Sequence, residues 1–538
     1  MKNRLILVFI FFAGQKLYAA TDQLLIKRSS RPAMAEATIE ALRPWETPTE
    51  GFFVRSHHHS LPAKIDSSWT INFDGLIMNP RKITVKSLLK MPQVSFHAIL
   101  ECSGNGRSLF SPSVSGIQWK RGAIGNAEWT GVPIKEIFKS LVIKPTAKYV
   151  TFEGADEPVI PSQAKFVRSI PMSLLLETNS ILALKMNREP LTVAHGGPVR
   201  LIMPTIYGQN WVKWVNKITF AAEPDERNFA QKAYRMPIES VKPGESWDPV
   251  KSGRPIEYIK VQTIFTDPKP QENINPGAFT LKGKTFSGSG PVSKVEISID
   301  SGNSWSEAKL SPSKDYAWQE FEMQINVQEG VNYEALARAT DVKGNTQPLI
   351  QEWNPKGYLY NAVDRVVFKG DSQGALIAEG ADLVKQHCLT CHSVEIIDQQ
   401  TLDKAAWIST VKKMSDYGLV LDKDTTEKIA KTLSSKDKGR SILGDDSNFV
   451  DLSANPDLEV TYQHRAGNAK SGYKLFISYC AACHGQDGNG KSAPKLKGRR
   501  ITESTFWTTV KNGRRLMPGF TATLSTSELE NIRAWIQK

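Results

Sequence analysis

The sequence predicts a multidomain chain in which an α+β domain is followed by a β-sandwich and then by two small all-α domains. The length of 538 residues suits three to four domains of roughly 150 residues each. Hydrophobic residues make up 40% of the chain and charged residues 23%, which excludes a disordered or collagen-like protein. The pattern of apolar residues changes near positions 256 and 370, and these changes mark domain boundaries.

The first residues have the pattern of a cleavable export signal. Met1–Arg4 carries two positive charges, Leu5–Ala13 is apolar, and Leu17–Ala19 ends on a small residue. The apolar stretch is too short to span a membrane, which argues against an anchor. We expect residues 1–19 to be removed and the mature protein to be periplasmic. No later run of 18 apolar residues exists, so we expect no transmembrane segment.

Residues 20–225 mix short β-rich runs with helical stretches. Tyr149–Phe152 and Val199–Met203 are typical of strands, and Val132–Leu141 is typical of a helix. Turn residues between these runs predict an α+β domain whose irregular loops carry the functional groups. The following stretch, Pro224–Pro255, is rich in Pro, Gly, Ser and charged residues, so it is predicted to be a connector.

Residues 226–355 are predicted to contain this linker and then a β-sandwich of immunoglobulin-like size. Apolar residues alternate with polar ones in Val295–Ile299 and run into Asp300–Asn303, a hairpin signal. A second strand is predicted at Tyr333–Ala339 and ends at the turn residues Asp341–Asn345. No catalytic cluster is apparent in this region.

The last two domains, residues 370–440 and 466–538, are predicted to be helical and to be joined by the polar linker Lys436–Ala466. Each contains one Cys-x-x-Cys-His motif, comprising Cys388, Cys391 and His392 in the first and Cys480, Cys483 and His484 in the second. This spacing lets two thioethers hold a haem c while the histidine binds its iron. A thiol redox pair or a zinc half-site are the alternatives, and two copies in an exported chain favour haem.

The second of these domains resembles the class I cytochromes c. Gly472–Phe476 precedes its motif and Gly485–Gly490 follows it, as in that family. Met517, within Leu516–Phe520, lies where the family places its second axial ligand to the haem iron. The alternative is a core methionine.

Cys102 is the one cysteine outside the haem motifs. It lies in Leu100–Arg107, a loop of Gly, Ser and Asn that would present the thiol outward. A soft thiolate suits a soft or high-valent metal, whereas a lone cysteine without such a context is more often a core residue. The neighbouring residues favour the metal.

Those neighbours resemble the sulfite oxidase family of molybdopterin enzymes, from about Phe52 to Ile218. Six segments occur in the family's order: Phe52–His57, Glu101–Arg107, Gly122–Gly131, Arg168–Pro171, His195–Arg200 and Val212–Trp214. The resemblance implies a sulfite-oxidase-type molybdopterin domain of the α+β class. It also implies that the β-sandwich is a dimerisation domain, and hence a homodimer.

Carried onto this sequence, the resemblance makes Cys102 the thiolate ligand of molybdenum. Arg and Lys side chains supply the charge-assisted hydrogen bonds that a pterin phosphate requires. The residues implied to hold the cofactor are Phe53, Val54, Arg55, Ser56, His57, Asp156, His195, Arg200, Trp211, Val212 and Lys213.

The resemblance also implies a pocket for a small oxyanion. Arg55 and Arg107 match the family's pocket arginines, and Trp119 and Tyr234 match its pocket aromatics. The family's third arginine has no counterpart that the sequence identifies. The sequence departs from the family at Ser56, among other positions.

The first cytochrome domain lacks the glycine loop after its motif. Its segment Trp407–Met414 resembles the monohaem cytochrome subunits that partner bacterial sulfite dehydrogenases. This resemblance implies Met414 as axial ligand, and a packed helix methionine is the alternative.

These features predict a periplasmic sulfite dehydrogenase fused to its own dihaem electron acceptor. Molybdenum accepts two electrons at once and each haem carries one, so electrons would leave singly to an external cytochrome c or a terminal oxidase. A sulfane dehydrogenase acting on carrier-bound sulfur and a sulfoxide reductase are alternatives. An electron carrier with a vestigial pterin domain is disfavoured because Cys102 and the basic residues are present. No nucleic-acid partner is expected.

Overall fold

The computed structural model describes residues 24–435 and 469–537, and these form two compact units. One unit contains residues 24–371 together with the C-terminal helical domain of residues 469–537. The other contains the helical residues 372–435. The positions within these ranges that are not described are 59–60, 63–64, 159, 161, 228, 230–231, 390–391, 393, 418, 490–494, 498–505, 508, 511–523 and 525. The predicted signal, the predicted linker after residue 435, Cys391 and Met517 therefore lie outside the described residues.

The N-terminal domain is α+β, as predicted, and contains three sheets. A three-stranded sheet has the order β1-β2-β3, one five-stranded sheet has β11-β10-β7-β6 with β12 on β10, and a second has β5-β4-β13-β8-β9. The strands are β1 Leu25–Ser30, β2 Ala33–Ala37, β3 Val54–Arg55, β4 Thr70–Gly75, β5 Arg81–Thr84, β6 Val94–Glu101, β7 Ile124–Pro133, β8 Tyr149–Gly154, β9 Val167–Pro171, β10 Ile181–Met186, β11 Glu189–Pro190, β12 Arg200–Ile202 and β13 Val215–Ala221. The helices are α1 Ile39–Leu42, α2 Val85–Leu88, α3 Ile134–Lys139 and α4 Met172–Glu177.

The predicted strands at Tyr149–Phe152 and Val199–Met203 are confirmed as β8 and β12. The helix predicted over Val132–Leu141 is shorter, because Val132 and Pro133 still belong to β7. Proline fits the residue before a helix and not its interior, so α3 begins after Pro133.

The β-sandwich follows a small hairpin of β14 and β15. Its sheets have the orders β16-β18-β22-β21 and β17-β24-β23-β19-β20. The predicted strand at residues 295–299 lies largely within β19, and the turn after it leads into β20, which pairs with β19. The strands are β14 Arg235–Pro237, β15 Gly253–Pro255, β16 Gln262–Asp267, β17 Glu272–Ile274, β18 Gly277–Phe286, β19 Val292–Ser298, β20 Ser306–Glu307, β21 Lys309–Leu310, β22 Gln319–Val327, β23 Asn332–Asp341 and β24 Asp364–Gly370.

The sandwich extends beyond residue 355, where we expected it to end. Strand β24 pairs antiparallel with β23 and lies inside the second sheet. The irregular residues 356–363 before it hide this strand in the sequence, because their Gly, Tyr and Asn residues look like a domain boundary.

The remaining helices form two short bundles. Their bounds are α5 Ser372–Cys388, α6 Val394–Asp398, α7 Lys404–Lys413, α8 Lys423–Ser434, α9 Ala469–Tyr479, α10 Ala481–His484 and α11 Thr526–Gln537. Helix α5 packs on α8 and α9 packs on α11. In each pair a glycine lies at the crossing, since a Cβ on Gly380 would overlap Thr432 and one on Gly472 would overlap the carbonyl of Asn531. Among the described helices, none combines the length and apolarity that a membrane span requires.

Candidate functional site

An open cavity in the N-terminal domain collects most of the predicted site residues. Its empty volume is about 670 Å³. Ten predicted residues line it: Phe53, Arg55, His57, Cys102, Asp156, His195, Arg200, Trp211, Lys213 and Tyr234. Because these residues come from distant parts of the chain, the fold supports the grouping that the sequence segments suggested.

Strand β6 delivers Cys102 to the cavity. The strand ends at Glu101, and the backbone N–H of Cys102 donates to the carbonyl of Ala123 at 2.9 Å, which continues the pairing with β7. Asn105 and Gln262 then hold the loop through the Glu101 carboxyl group, with Asn105 Nδ2 at 3.0 Å and Gln262 Nε2 at 2.8 Å from Oε1. Burial raises the pKa of Glu101 to about 8, so its proton is retained near neutral pH.

The Cys102 thiol is held in its protonated form by its surroundings. Burial raises its pKa, while Arg55, a hydrogen bond from the Gly104 backbone and Arg107 act in the opposite direction. A metal must therefore displace this proton when it binds, as ligand thiols generally require. The residue type and its position in the cavity suit a soft metal ligand.

The cavity is rich in cations. Arg200 donates from Nη1 to the His195 carbonyl at 2.8 Å and from Nη2 to the Trp211 carbonyl at 3.1 Å, and burial lowers its pKa to about 9. Lys213 donates from Nζ to the Ala194 carbonyl at 3.0 Å. Among the described lining residues Asp156 is the one carboxylate, whereas Arg55, Arg200 and Lys213 are three basic residues. This charge imbalance favours an anionic ligand.

The two histidines of the cavity are neutral. Burial lowers the pKa of His195 to about 4, and its Nε2 donates to the Thr49 carbonyl at 3.0 Å. Burial and the charge of Arg55 lower the pKa of His57 well below its usual range. The His57 ring stacks on Phe166 with centroids 3.9 Å apart, and its Nε2 contacts the Tyr234 hydroxyl. Neutral imidazoles leave the binding of anions to Arg and Lys.

Three lining residues retain polar atoms that lack a partner among the described residues. Arg200 Nε, Ser103 Oγ and Gln209 Oε1 are buried at the cavity and have no hydrogen bond. Buried polar groups are normally paired, so this set of two donors and an acceptor fits a ligand with both kinds of polar group. A polar heterocycle carrying a phosphate has this chemistry, and the residues therefore fit the predicted pterin cofactor.

Ser56 lies just behind the lining residues. Its hydroxyl accepts a hydrogen bond from Lys213 Nζ at 3.2 Å, so it positions that lysine. Val54 lies in β3, and Val212 is fully buried in the core. These three predicted residues support the wall of the cavity.

Arg107 and Trp119 do not line the cavity, contrary to prediction. The Arg107 guanidinium donates to the carbonyls of Ile117 at 2.9 Å and Lys356 at 3.1 Å, and it packs so closely on Gly104 that a Cβ there would lie 2.6 Å from Nη2. Trp119 is 1% exposed and belongs to the hydrophobic core. A motif identifies a position, but it does not specify which way the side chain points.

The sequence reasoning missed Tyr358 and Arg168. The Tyr358 ring stacks on Tyr234 with centroids 5.7 Å apart and lies 5.2 Å from Arg107 Cζ. It follows the predicted end of the sandwich, so no signal in the sequence marked it. Arg168 donates to Asn210 Oδ1 at 2.9 Å and lies over the Tyr234 ring. It stands inside a family segment that was recognised but not assigned a role.

The haem motifs lie at helix ends. Cys388 is the last residue of α5, and the backbone N–H of His392 donates to its carbonyl at 2.9 Å. Cys480 precedes α10, and the His484 N–H donates to its carbonyl at the same distance. This turn brings each histidine beside the first cysteine of its motif. Cys483 lies in α10, and its side chain is outside the described set.

Met414 is half-buried at the end of α7, where it begins a short 3-10 helix that runs to Tyr417. Its role as an axial ligand stays a prediction. The thiol of Cys102 forms no disulfide.

Comparisons with known proteins match three segments of the chain. Residues 58–229 match the oxidoreductase molybdopterin binding domain, residues 254–370 match the Mo-co oxidoreductase dimerisation domain, and residues 467–536 match the cytochrome c oxidase, cbb3-type, subunit III family. Sulfite oxidase of Arabidopsis thaliana is 31% identical over 370 residues, which cover 63% of this chain and 93% of the plant protein. The chain belongs to the sulfite oxidase family.

Two further relatives match a similar share of this sulfite oxidase family chain. Sulfite oxidase of Gallus gallus is 31% identical over 356 residues, which cover 63% of this chain and 76% of the chicken protein. The crystal structure of the sulfane dehydrogenase SoxCD from Paracoccus pantotrophus is 25% identical, with a TM-score of 0.58 over 69% of this chain and 94% of that chain.

The family assignment confirms the central predictions. This chain is a molybdenum oxidoreductase of the sulfite oxidase type, with a molybdopterin domain, a β-rich dimerisation domain and a C-terminal cytochrome c domain. Its cofactors are molybdopterin and haem. Cys102 lies within the segment that matches the molybdopterin binding domain.

Proposed function

We propose that this chain is a periplasmic sulfite dehydrogenase that oxidises sulfite to sulfate and passes the electrons singly through two c-type haems to an external cytochrome c or a terminal oxidase. The observation that carries the proposal is the cation-rich cavity around Cys102 in a chain that also contains a cytochrome domain. The predicted export signal supports a periplasmic location. The dimerisation domain supports a homodimer.

Cys102 would bind the molybdenum of the cofactor. When bound, the metal supplies a centre that transfers an oxygen atom and takes up two electrons. Arg200 and Lys213 would bind the phosphate of the pterin, with Ser56 and the Ala194 carbonyl fixing the lysine. The unpartnered Arg200 Nε and Gln209 Oε1 would receive further polar groups of the cofactor.

Arg55 is the cation that best suits the substrate. It lines the cavity together with Cys102, where its charge opposes the burial that raises the pKa of Cys102 and helps burial to lower the pKa of His57. Arg107 supports this wall through its two carbonyl contacts instead of reaching into the cavity. A sulfite dianion next to Arg55 would gain a charge-assisted hydrogen bond in a cleft that is partly shielded from water.

Tyr234 and His57 form the polar part of the substrate pocket. Burial raises the pKa of Tyr234, so its hydroxyl keeps its proton and can donate to an oxyanion, while the neutral His57 ring contacts the same hydroxyl. Arg168 and Tyr358 fix the Tyr234 ring from two sides. The hydroxyl is therefore held in place before substrate arrives, which favours binding of a small anion.

The glycines at the helix crossings support two haem domains. Gly380 and Gly472 each lie eight residues before the first cysteine of their Cys-x-x-Cys-His motif. Each allows the helix that carries the motif to cross the last helix of its bundle at close range. This shared arrangement supports a cytochrome fold for residues 370–440 as well as for the C-terminal domain.

A sulfane dehydrogenase is the second candidate function. It is favoured by the structural similarity to SoxCD, a protein described as a sulfane dehydrogenase. Sulfite is a free dianion, whereas carrier-bound sulfur must enter the cavity on an extended partner. The two substrates therefore place different demands on the charge of Arg55.

The deciding experiment is a steady-state assay of purified holoenzyme with ferricytochrome c as acceptor. Sulfite and thiosulfate are compared as substrates at equal concentration, and oxygen consumption is followed in parallel. A methyl sulfoxide is tested separately as oxidant, with ferrocytochrome c as the electron donor. We expect rapid reduction of ferricytochrome c with sulfite and inhibition by sulfate. Turnover with thiosulfate in the presence of a sulfur carrier and none with sulfite would favour the second candidate.

A further inference from the structure

The C-terminal cytochrome domain contacts the sandwich through a charged pair. Arg365 on β24 and Glu528 on α11 form an ion pair with Nη2 and Oε2 3.2 Å apart. Their side chains are 27% and 21% exposed. The same guanidinium binds Glu334 through Nη1 at 2.9 Å, so it bridges one carboxylate of its own domain and one of the cytochrome domain.

This pair is shielded from solvent more than a typical surface ion pair. Burial lowers the pKa of Arg365, but the charges of Glu334 and Glu528 outweigh that effect and the net shift is upward. Exposed pairs contribute little to an interface, whereas loss of one partner of a desolvated pair leaves an uncompensated charge. Ile350 adds an apolar contact, because it packs against the core of the C-terminal domain.

Two tyrosines lie close to the charged pair. Tyr360 packs on the loop that carries Cys102, since a Cβ on Gly106 would lie 2.7 Å from Tyr360 Cβ. Tyr479 directly precedes Cys480, to which the haem is attached. Burial raises the pKa of Tyr479, and the neighbouring Glu528 and Tyr360 raise it further. Arg365 and Glu528 therefore lie near a tyrosine that packs on the Cys102 loop and near a tyrosine that adjoins the haem motif.

The packed contact runs from Cys102 along its loop to Gly106 and the ring of Tyr360. Arg365 and Glu528 lie near enough to act electrostatically on Tyr360 and on Tyr479, the residue before Cys480. The rate of electron tunnelling falls steeply with distance, so a domain held in this position receives electrons faster than one that moves freely on its linker. The contact between the domains would therefore increase the rate at which the haem receives electrons.

We infer that the Arg365–Glu528 contact docks the C-terminal cytochrome domain so that its haem takes electrons directly from the molybdenum site. The inference rests on the proposed function. Oxidation of one sulfite, with the oxygen atom taken from one water, yields sulfate, two protons and two electrons. One electron reduces the ferric C-terminal haem to the ferrous state, and the second follows after another ferric haem or an external ferric cytochrome has reoxidised it. Arg365 and Glu528 are positioning residues in this scheme.

The test compares Glu528→Gln with Glu530→Gln in the holoenzyme. Glu530 lies on the same helix and pairs at 3.2 Å with Arg533 of that helix, so its replacement removes the same charge without breaking the Arg365 contact. A flash reduces the haem, and its reoxidation by the oxidised molybdenum centre is followed optically without any substrate. If the contact favours the docked state by a factor of about ten, its loss slows this step by about twofold to tenfold, depending on how fully the wild type is docked. We expect this slowing in Glu528→Gln and the wild-type rate in Glu530→Gln.

Further readouts separate positioning from structural damage. Glu528→Asp should restore part of the rate, and the haem potential should be unchanged in all three variants. Amide exchange around residues 360–366 should increase in Glu528→Gln alone. An unchanged flash rate in Glu528→Gln would overturn the inference, as would an equal loss in Glu530→Gln. The flash experiment uses no substrate, so it does not depend on the sulfite assignment. If that assignment alone is wrong, electron transfer between haem and molybdenum stays rapid while sulfite is not oxidised.

Discussion

Replacement of Arg55 tests the anion site most directly. Arg55 lies in the cavity beside Cys102, whereas Arg107 is occupied by two backbone carbonyls and cannot take over its role. In Arg55→Gln a bound sulfite dianion would face a polar but uncharged group in a partly desolvated cleft. The loss of one such charged contact costs roughly 2 to 4 kcal/mol of transition-state stabilisation. We therefore expect kcat/KM for sulfite to fall by roughly 30-fold to 1,000-fold.

The assay is steady-state reduction of ferricytochrome c over a range of sulfite and salt concentrations. Part of the loss should appear as a higher KM, because the substrate is charged in the ground state and in the transition state. Added salt should weaken the wild type more than Arg55→Gln, since it screens the attraction that the variant has lost. Arg188→Gln is the matched control, as its side chain is 62% exposed and pairs with Glu46 outside the cavity.

The role of Arg107 provides a second comparison. Because its guanidinium is bound to the carbonyls of Ile117 and Lys356, Arg107→Gln should lower thermal stability and distort the Cys102 loop. Its effect should fall mainly on kcat. Intact sulfite kinetics in Arg55→Gln, or a larger rise of KM in Arg107→Gln than in Arg55→Gln, would refute the assignment of Arg55 as the substrate cation.

Three further substitutions test the proposed metal ligand, the loop that carries it and the helical domain of residues 370–440. Cys102→Ser should keep the haem spectrum but abolish sulfite-dependent haem reduction, because a hydroxyl replaces a soft thiolate poorly; residual turnover above a few per cent would reject the ligand. Glu101→Gln should flatten the pH dependence of stability. Because the pKa of Glu101 is raised to about 8 in the folded protein, the wild type loses stability as pH rises from about 5 to about 8. Thermal unfolding across that range should show no such loss in the variant. Gly380→Ala should destabilise the helical domain of residues 370–440 by about 1 to 3 kcal/mol, since the new methyl group overlaps Thr432, and calorimetry that shows no change would contradict the close crossing of α5 and α8.

Features with a strong local signal were predictable from the sequence. The Cys-x-x-Cys-His motifs, the strands at β8, β12 and β19, and the segments around Cys102 each depend on residues that are close together in the chain. Their chemistry is a property of spacing and residue type. For that reason the pattern predicts the ligand residues of the cavity without knowledge of its shape.

The direction of a side chain is a different property, and Trp119 shows the limit. It was predicted as a pocket aromatic from the family resemblance, but its side chain is buried in the hydrophobic core. Arg107 is turned in a similar way, since Gly104, Gly116 and Gly357 leave room for its side chain to fold against the backbone. No periodicity or spacing in one sequence encodes these rotations.

The cavity also depends on a domain boundary that composition hides. Tyr358 stacks on Tyr234, the Lys356 carbonyl binds Arg107, and Gln262 holds Glu101 directly before Cys102. All three come from the sandwich, at positions that the sequence treats as linker ends or strand interiors. A buried carboxyl group such as Glu101 is tolerated only with hydrogen-bond partners, so the Cys102 loop depends on the sandwich residue Gln262 for its geometry. The dimerisation domain therefore supports the residues around the cavity from behind, in addition to being a candidate surface for a second copy.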